Sequence, residues 1–279
     1  MMIKWDGHTH TQFCYHGNDA PLEQYVEQAI ALGFTRYSVT EHPPLPANWV
    51  KDQSLFQELA MPEQQLEQYF AYVQQVKEKY QDRIEVTIGL ELDYLHGRTD
   101  YTDEMVSKWG HLLEDVVYSV HYLPGQAGMY CIDFTAEDFS RNLLRYYGTM
   151  DTLVDTYFDH VELAIEHAST LNMRKRIGHL NLITKFAHKL PPISETLMKE
   201  RLEQLLPLLQ ESDVGVDVNV AGLRVATCEQ AYVPSWFIKQ ATALGIECVY
   251  GSDAHKPEQV GLFWEEVQIA DFDNDGDAL

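Results

Sequence analysis

The sequence predicts an α/β protein of parallel strands alternating with helices, and three observations carry that prediction. Short β-rich runs recur from end to end, at 3–6, 36–40, 86–90, 116–120, 176–178, 214–219 and 248–250, which makes seven. These runs are rich in Val and Ile and mostly continuous in apolar character, as expected of parallel strands covered on both faces. Helical segments separate them, so the chain reads as successive βαβ units, closed as a barrel or left as an open doubly wound sheet.

Taken in order, the first strand runs into His8-Thr-His10, and a helix is expected over 21–32 with Asp19 as its cap and Gly33 as its stop. A helix over 63–79 lies between the second and third strands. Helices over 135–147 and 150–171 come after the fourth. Those over 194–210 and 235–244 flank the sixth, the latter closed by Gly245. No internal repeat, low-complexity stretch or linker interrupts the series, so one domain is expected over 1–270, with an acidic tail over 271–279. The tail resembles the opening of a calcium loop, D-x-D-x-D-G, but it has no twelfth-position Glu. It is read as an acidic terminus.

With 279 residues and 45% apolar content, the chain can bury one large core. Its 43 acidic against 20 basic residues give a net charge of −23, which repels phosphate backbones and anionic bilayers alike. Neither nucleic acid nor a membrane is the expected partner. The opening MMIKWDGHTHTQF has no basic segment leading into an apolar run, and no stretch of about 18 apolar residues occurs. Cys14, Cys131, Cys228 and Cys248 are scattered, so a reduced, cytoplasmic protein is expected.

The chemistry lies at the C-terminal end of each strand. The first delivers His8 and His10, with His16 a short loop later. The second ends in Thr40-Glu41-His42, the third in Glu91, the fourth in His121, the fifth in His179, and the seventh in Asp253 and His255. In a parallel barrel those C-terminal ends converge on one mouth. His8/His10 and Asp253/His255 are spaced i, i+2, which on an extended backbone points both side chains to one face. A lone H-x-H is common, and a solitary His after a strand is usually a hydrogen-bonded loop residue. Repetition at six strand ends argues for metal. Seven imidazoles and two carboxylates exceed what one four-coordinate zinc takes, so two or three divalent ions are implied. Mixed N/O donors suit zinc, iron or manganese better than calcium or magnesium.

Five histidines do not follow strands: His96, His111, His160, His167 and His188. His160 and His167 share a long helix with Glu162 and Glu166 and read as a solvated face, while His96 stays open. Cys14 is a soft ligand or a nucleophile by chemistry. No general base for a thiolate mechanism is evident, so it is read as a packing residue.

The ordered set H-x-H, a later His, T-E-H, G-L-E, S-V-H-Y, G-H-L and S-D-A-H resembles the PHP (polymerase and histidinol phosphatase) family of metal-dependent hydrolases, over 8–261. The resemblance implies a distorted (β/α)7 barrel, PHP-type and TIM-barrel-like, and all nine ligand positions of the three-metal members are filled. It implies one ion on His8, His10, Glu91 and Asp253. Glu91 would bridge to a second on His121 and His179, and His16, His42 and His255 would hold a third. The segments G-H-L-N-L-I-T-K-F, V-N-V-A-G-L-R and G-S-D-A-H-K-P-E-Q-V-G resemble the stand-alone histidinol-phosphatase branch. That branch implies a phosphoric monoester hydrolase of histidine biosynthesis acting on L-histidinol phosphate. Where the family often has N-T/S-S/A-G-L-R-K, this chain lacks one hydroxyl and one basic residue, a departure that touches the substrate side of the site only.

The resemblance also places Lys185 and Arg224 near the phosphate, Arg224 as a bidentate fork and Lys185 as a point charge. A hydroxide bridging two metals is the expected nucleophile, since coordination lowers the pKa of water towards about 7. Asp253 and His255 are candidates for proton handling, with Tyr122 behind them. Glu41 and Asp93 are candidates to receive the substrate's ammonium and imidazole, and Glu41 equally to orient a neighbouring ligand. Three alternatives stay open: a phosphoesterase for sugar phosphates or nucleotides, a non-catalytic metal-binding relative, and an amidohydrolase-type barrel, which also opens with H-x-H.

Overall fold

A computed structural model describes residues 3–271. Seven strands hydrogen-bond in a single parallel sheet: β1 (Trp5–Asp6), β2 (Arg36–Glu41), β3 (Glu85–Asp93), β4 (Asp115–Ser119), β7 (Arg174–Ile177), β8 (Gly215–Asn219) and β9 (Cys248–Gly251). The sheet curls until its two ends meet. Gly7 N donates to Tyr250 O at 2.8 Å, Asp253 N to His8 O at 2.7 Å and His10 N to Ala254 O at 2.9 Å, and these bonds close the seam. The result is a nearly closed (β/α)7 barrel. The acidic tail expected over 271–279 lies, beyond Asp271, outside the described residues.

The surrounding helices are α1 (Leu22–Ala31), α2 (Gln53–Leu59), α3 (Glu63–Tyr80), α4 (Thr99–Trp109), α7 (Met150–Ser169), α8 (Glu195–Ser212), α9 (Ser235–Ala243) and α10 (Trp264–Asp271). On α3, Leu66, Tyr69, Phe70, Val73, Val76 and Tyr80 form one buried stripe at helical spacing. Burying each such side chain contributes about 1.5–3 kcal/mol, which fixes the helix against the barrel.

Several local expectations need correction. Asp19 does not cap α1: Pro21 holds that position without a side-chain bond, and the preceding turn is held by Asn18, whose Oδ1 accepts from Ala20 N at 2.8 Å. The helix expected over 135–147 is broken into α5 (Ala136–Phe139), a π-turn (Ser140–Leu144) and α6 (Arg145–Tyr147). An antiparallel hairpin, β5 (Tyr122–Gly125) and β6 (Gly128–Cys131), sits between β4 and α5. Helix α4 escapes the sequence pattern because Thr102 is its only fully buried residue, so it carries no clear apolar stripe.

The floor of the barrel is filled by polar side chains. Arg176, fully buried, donates from Nη1 and Nη2 to Asp115 at 2.7 and 3.0 Å, and from Nη2 to Gly7 O at 2.6 Å. Its guanidinium lies over the Trp5 ring at 4.9 Å. Ser38 ties the layer together, donating to Asp115 at 2.6 Å and accepting from Trp5 Nε1 at 2.8 Å.

A candidate metal centre at the barrel mouth

Above that floor the strand ends aim their side chains inward, and the nine residues singled out from the sequence converge. Glu91, at the end of β3, is the hub. Its Oε2 lies 3.2 Å from His8 Nε2, 3.3 Å from His42 Nδ1 and 3.5 Å from His10 Nε2. Its Oε1 lies 2.9 Å from His179 Nε2 and 3.5 Å from His121 Nε2, and accepts from Ser119 Oγ at 2.6 Å. Asp253 Oδ1 is 3.3 Å from His10 Nε2, and His255 Nε2 is 3.2 Å from His16 Nε2. Two donor triplets, His8/His10/Glu91 and Glu91/His121/His179, each have ligand atoms within 4.8 Å of one another.

Local backbone chemistry sets these positions. A side chain at Gly178 would put its Cβ 2.1 Å from Ser119 Oγ, so only glycine lets β7 pass β4 closely enough to present His179. His179 itself adopts φ 22° and Asp253 φ 52°, left-handed conformations that non-glycine residues take at a cost of order 1–3 kcal/mol. Two strained positions, both at the mouth, mark where the fold gives up backbone comfort to aim a side chain.

Behind the imidazoles stands a layer of acceptors. Asp217 Oδ2 meets His8 Nδ1 at 2.7 Å, Glu41 Oε1 meets His10 Nδ1 at 3.2 Å, Asp93 Oδ1 meets His121 Nδ1 at 2.7 Å, and Glu58 O meets His16 Nδ1 at 2.9 Å. Holding Nδ1–H in this way fixes the tautomer and leaves the Nε2 lone pair facing the centre. Glu41 and Asp93 are therefore not substrate carboxylates. Both are buried behind the donors, and Glu41 is further engaged by Thr11 N at 2.8 Å and Thr11 Oγ1 at 2.7 Å. Asp217 escaped the sequence reading because it sits inside β8 rather than after it. The i, i+2 pair Asp217/Asn219 in V-D-V-N was the available signal.

The residues fit cations. His8 Nε2 and His10 Nε2 are buried without a hydrogen-bond partner, a costly arrangement unless an electron-pair acceptor stands between them. Charge obeys the same logic. Burial would raise the Glu91 carboxyl, but His8, His121 and His42 hold it well below the usual range. Burial would lower His10, but Asp253, Glu41 and Glu91 push it up to about 9. His42 and His255 go the other way, pulled well down by burial and by the neighbouring His10.

A cavity of about 430 Å³ opens over the cluster, lined among others by His16, His121, Lys185, Arg224, Asp253 and His255. Lys185 reaches it but pairs with Asp133, Nζ to Oδ2 2.8 Å. Arg224 lines it too, yet its guanidinium donates to Ser252 O at 2.7 Å and Asp253 O at 2.5 Å, pinning the strained loop. Tyr122 lies in the wall, buried with Trp49 and Leu55 in a small apolar cluster. Cys14 is not packed among apolar side chains alone: its Sγ lies with ligand atoms of His10, His42 and His255, all four within 4.8 Å of one another.

The histidines set aside lie elsewhere. His160 is not solvated: it is buried, with Nδ1 bonded to Thr156 O at 2.7 Å and its ring 4.6 Å from exposed His96. His167 bridges Tyr118 Oη at 2.6 Å and Asp103 Oδ1 at 3.0 Å. No helix among the described residues is long and apolar enough to cross a membrane.

Comparison with known proteins finds relatives over nearly the whole chain. The PHP domain model matches residues 6–221, and a PHP-associated model matches 238–279. The histidinol-phosphatase of Bacillus subtilis (strain 168) is 32% identical over 268 residues, covering 95% of this chain and 98% of that protein. A crystal structure from Listeria monocytogenes, provisionally described as a histidinol phosphatase, superposes with a TM-score of 0.89 at 34% identity, covering 94% of this chain and 99% of that one. The fold is shared as well, at 18% identity and a TM-score of 0.71, by a Lactococcus lactis histidinol phosphate phosphatase solved with zinc, L-histidinol and phosphate, covering 97% of this chain and 94% of that one.

Proposed function

This chain belongs to the PHP family, and we infer from that membership and from its mouth that it is a phosphoric monoester hydrolase converting L-histidinol phosphate to L-histidinol and phosphate. One observation carries the reading: nine His, Asp and Glu side chains converge beside Lys185 and Arg224 under a cavity sized for a small phosphorylated metabolite. The reaction belongs to histidine biosynthesis, in the cytoplasm.

Two or three divalent ions of zinc, iron or manganese are assigned to the cluster. His8, His10, Glu91 and Asp253 would hold one, Glu91 with His121 and His179 a second, and His16, His42 and His255 a third. When bound, such ions neutralise the phosphate dianion and acidify a water molecule for attack at phosphorus. The protein's own groups do the rest. Asp217, Glu41 and Asp93 hold Nδ1 of His8, His10 and His121, which turns each Nε2 towards the centre. Lys185 supplies a cation that moves from Asp133 towards the phosphate oxygens. Arg224 holds the carbonyls of Ser252 and Asp253, so it fixes Asp253 and His255 as well as facing the phosphate. Those two residues are assigned the proton handling for the departing alkoxide, a leaving group too basic to depart unaided.

The deciding experiment measures phosphate release from L-histidinol phosphate, sugar phosphates, mononucleotides and p-nitrophenyl phosphate with manganese-, zinc- or iron-loaded protein. Strong preference for histidinol phosphate is expected. Broad, weak release would move the substrate to another phosphate ester, and no release with any metal would refute the catalytic reading.

A further inference from the structure

We propose that Glu58 determines specificity at the mouth: its carboxylate receives the primary ammonium of the substrate, so the site favours phosphate monoesters that carry a cationic amine beside the esterified carbon. The inference rests on the phosphatase reading and deepens it, because Glu41 and Asp93 stand behind the imidazoles and are closed to the substrate.

Elimination carries the proposal first. Four carboxylates line the cavity: Glu58, Glu91, Asp133 and Asp253. Glu91 and Asp253 lie among the imidazoles of the cluster. Both oxygens of Asp133 are taken, Oδ1 by Cys131 Sγ at 2.9 Å and Oδ2 by Lys185 Nζ at 2.8 Å. The Glu58 carboxylate accepts no hydrogen bond and joins no ion pair among the described residues, and it is exposed to the cavity. It is the negative charge of the wall that stands ready for a cation from outside.

The helix that carries it is also built to hold it in place. Leu55, Glu58 and Leu59 are spaced i, i+3 and i+4 on α2, which puts them on one face, and all three line the cavity. Asp52 caps the helix, its Oδ1 accepting from Ser54 N at 2.9 Å and Leu55 N at 3.2 Å. Leu55 is buried in the small apolar cluster with Trp49 and Tyr122. At the other end Glu58 O accepts from His16 Nδ1 at 2.9 Å, so the residue is fastened to the cluster by its backbone while its side chain stays free. On L-histidinol phosphate the amine sits on the carbon next to the one that bears the ester oxygen, so the group receiving it must stand close to the cluster. Glu58 does, and Leu55 and Leu59 offer the imidazole an apolar wall beside it. A carboxylate fixed in advance on a pinned helix binds at a lower ordering cost than one on a loose loop.

The test compares L-histidinol phosphate with imidazolylpropyl phosphate, the same ester without its amine, on the metal-loaded full chain. The wild type should favour the amine-bearing ester in KM by about 10–100-fold, the worth of one charge-assisted hydrogen bond. In Glu58→Gln the two KM values should converge, the loss falling on KM for the amine-bearing ester rather than on kcat. Glu58→Asp should keep part of the preference. Calorimetric titration with L-histidinol in the presence of inorganic phosphate reads the same contrast without turnover, and its affinity should fall in Glu58→Gln. A preference that survives Glu58→Gln, or collapses instead in Asp133→Asn, would overturn the proposal and leave the phosphatase reading standing. So would a wild type that hydrolyses both esters with equal KM. A chain that releases phosphate from neither ester would overturn both.

Discussion

The floor and the mouth of this barrel are both polar, both enclosed and only a few residues apart along the same strands, yet they are opposite in one respect. On the floor, donors and acceptors balance. Arg176 meets Asp115 and Gly7 O, Ser38 links Asp115 to Trp5, and Nε is the one guanidinium group left without a partner. At the mouth, acceptors are in surplus. His121 Nε2 faces His179 Nε2 at 3.1 Å, His255 Nε2 faces His16 Nε2 at 3.2 Å, and five imidazoles crowd one carboxylate. A buried polar cluster that closes on itself is architecture. One with lone pairs pointing at lone pairs is a vessel for a cation.

That contrast can be broken by exchanging the consequences of mutation. Ligand substitutions at the mouth should abolish turnover and spare the fold: His179→Ala or Asp253→Asn should lower kcat by at least about 1,000-fold, roughly 4 kcal/mol in the barrier, with thermal unfolding of the metal-free chain unchanged. Near-normal turnover in both would sink the cluster. On the floor the reverse is expected. Arg176→Met leaves Asp115 buried without its partner and should cost about 3–5 kcal/mol of stability, read from chemical denaturation. A variant as stable as the parent would show that the floor is not held by this pair.

A subtler test lies between the two. Asp217→Asn keeps the shape behind His8 but weakens its hold on Nδ1–H, so metal affinity should fall about 10–100-fold with little change in unfolding. Unaltered affinity by calorimetric titration would remove Asp217 from the centre.

The smallest effect concerns the cavity wall, where Lys185 and Asp133 form a pair of the balanced kind. Burial would raise the Asp133 carboxyl, but Lys185 and His121 hold it well below the usual range. A depressed folded pKa means stability that is fully present above about pH 4, the ordinary carboxylate value, and lost as pH falls below it. Asp133→Asn should therefore flatten the acid limb of the stability curve relative to the parent. Superimposable curves would show that the pair contributes nothing there.

The same contrast explains how much was legible in the sequence. The cluster was readable because its side chains sit where strands end, and strand ends are marked by a change from apolar runs to His, Glu and Asp. Arg176 and Asp115 were invisible as partners, since 61 residues separate them and neither position breaks its local pattern. Asp217 was hidden within a Val-rich strand. The carbonyl of Glu58, which turns His16, carries no side-chain signal at all. Arg224 stood out for its charge, but its hold on the carbonyls of Ser252 and Asp253 depends on a loop conformation that sequence does not announce.

The seam that closes the barrel has a temporal meaning. Gly7, His8 and His10 bond to Tyr250, Asp253 and Ala254, so the two donor pairs come from the first and the last barrel strand to be made. A chain emerging from the ribosome carries His8 and His10 with its first barrel strand but cannot complete the centre until the last barrel strand has been made and docked. An ion held by His8, His10 and Asp253 would thus report that synthesis has passed the last barrel strand and that the sheet has met itself. A folding chain arrested earlier would carry the Glu91, His121 and His179 donors but lack Asp253 and His255.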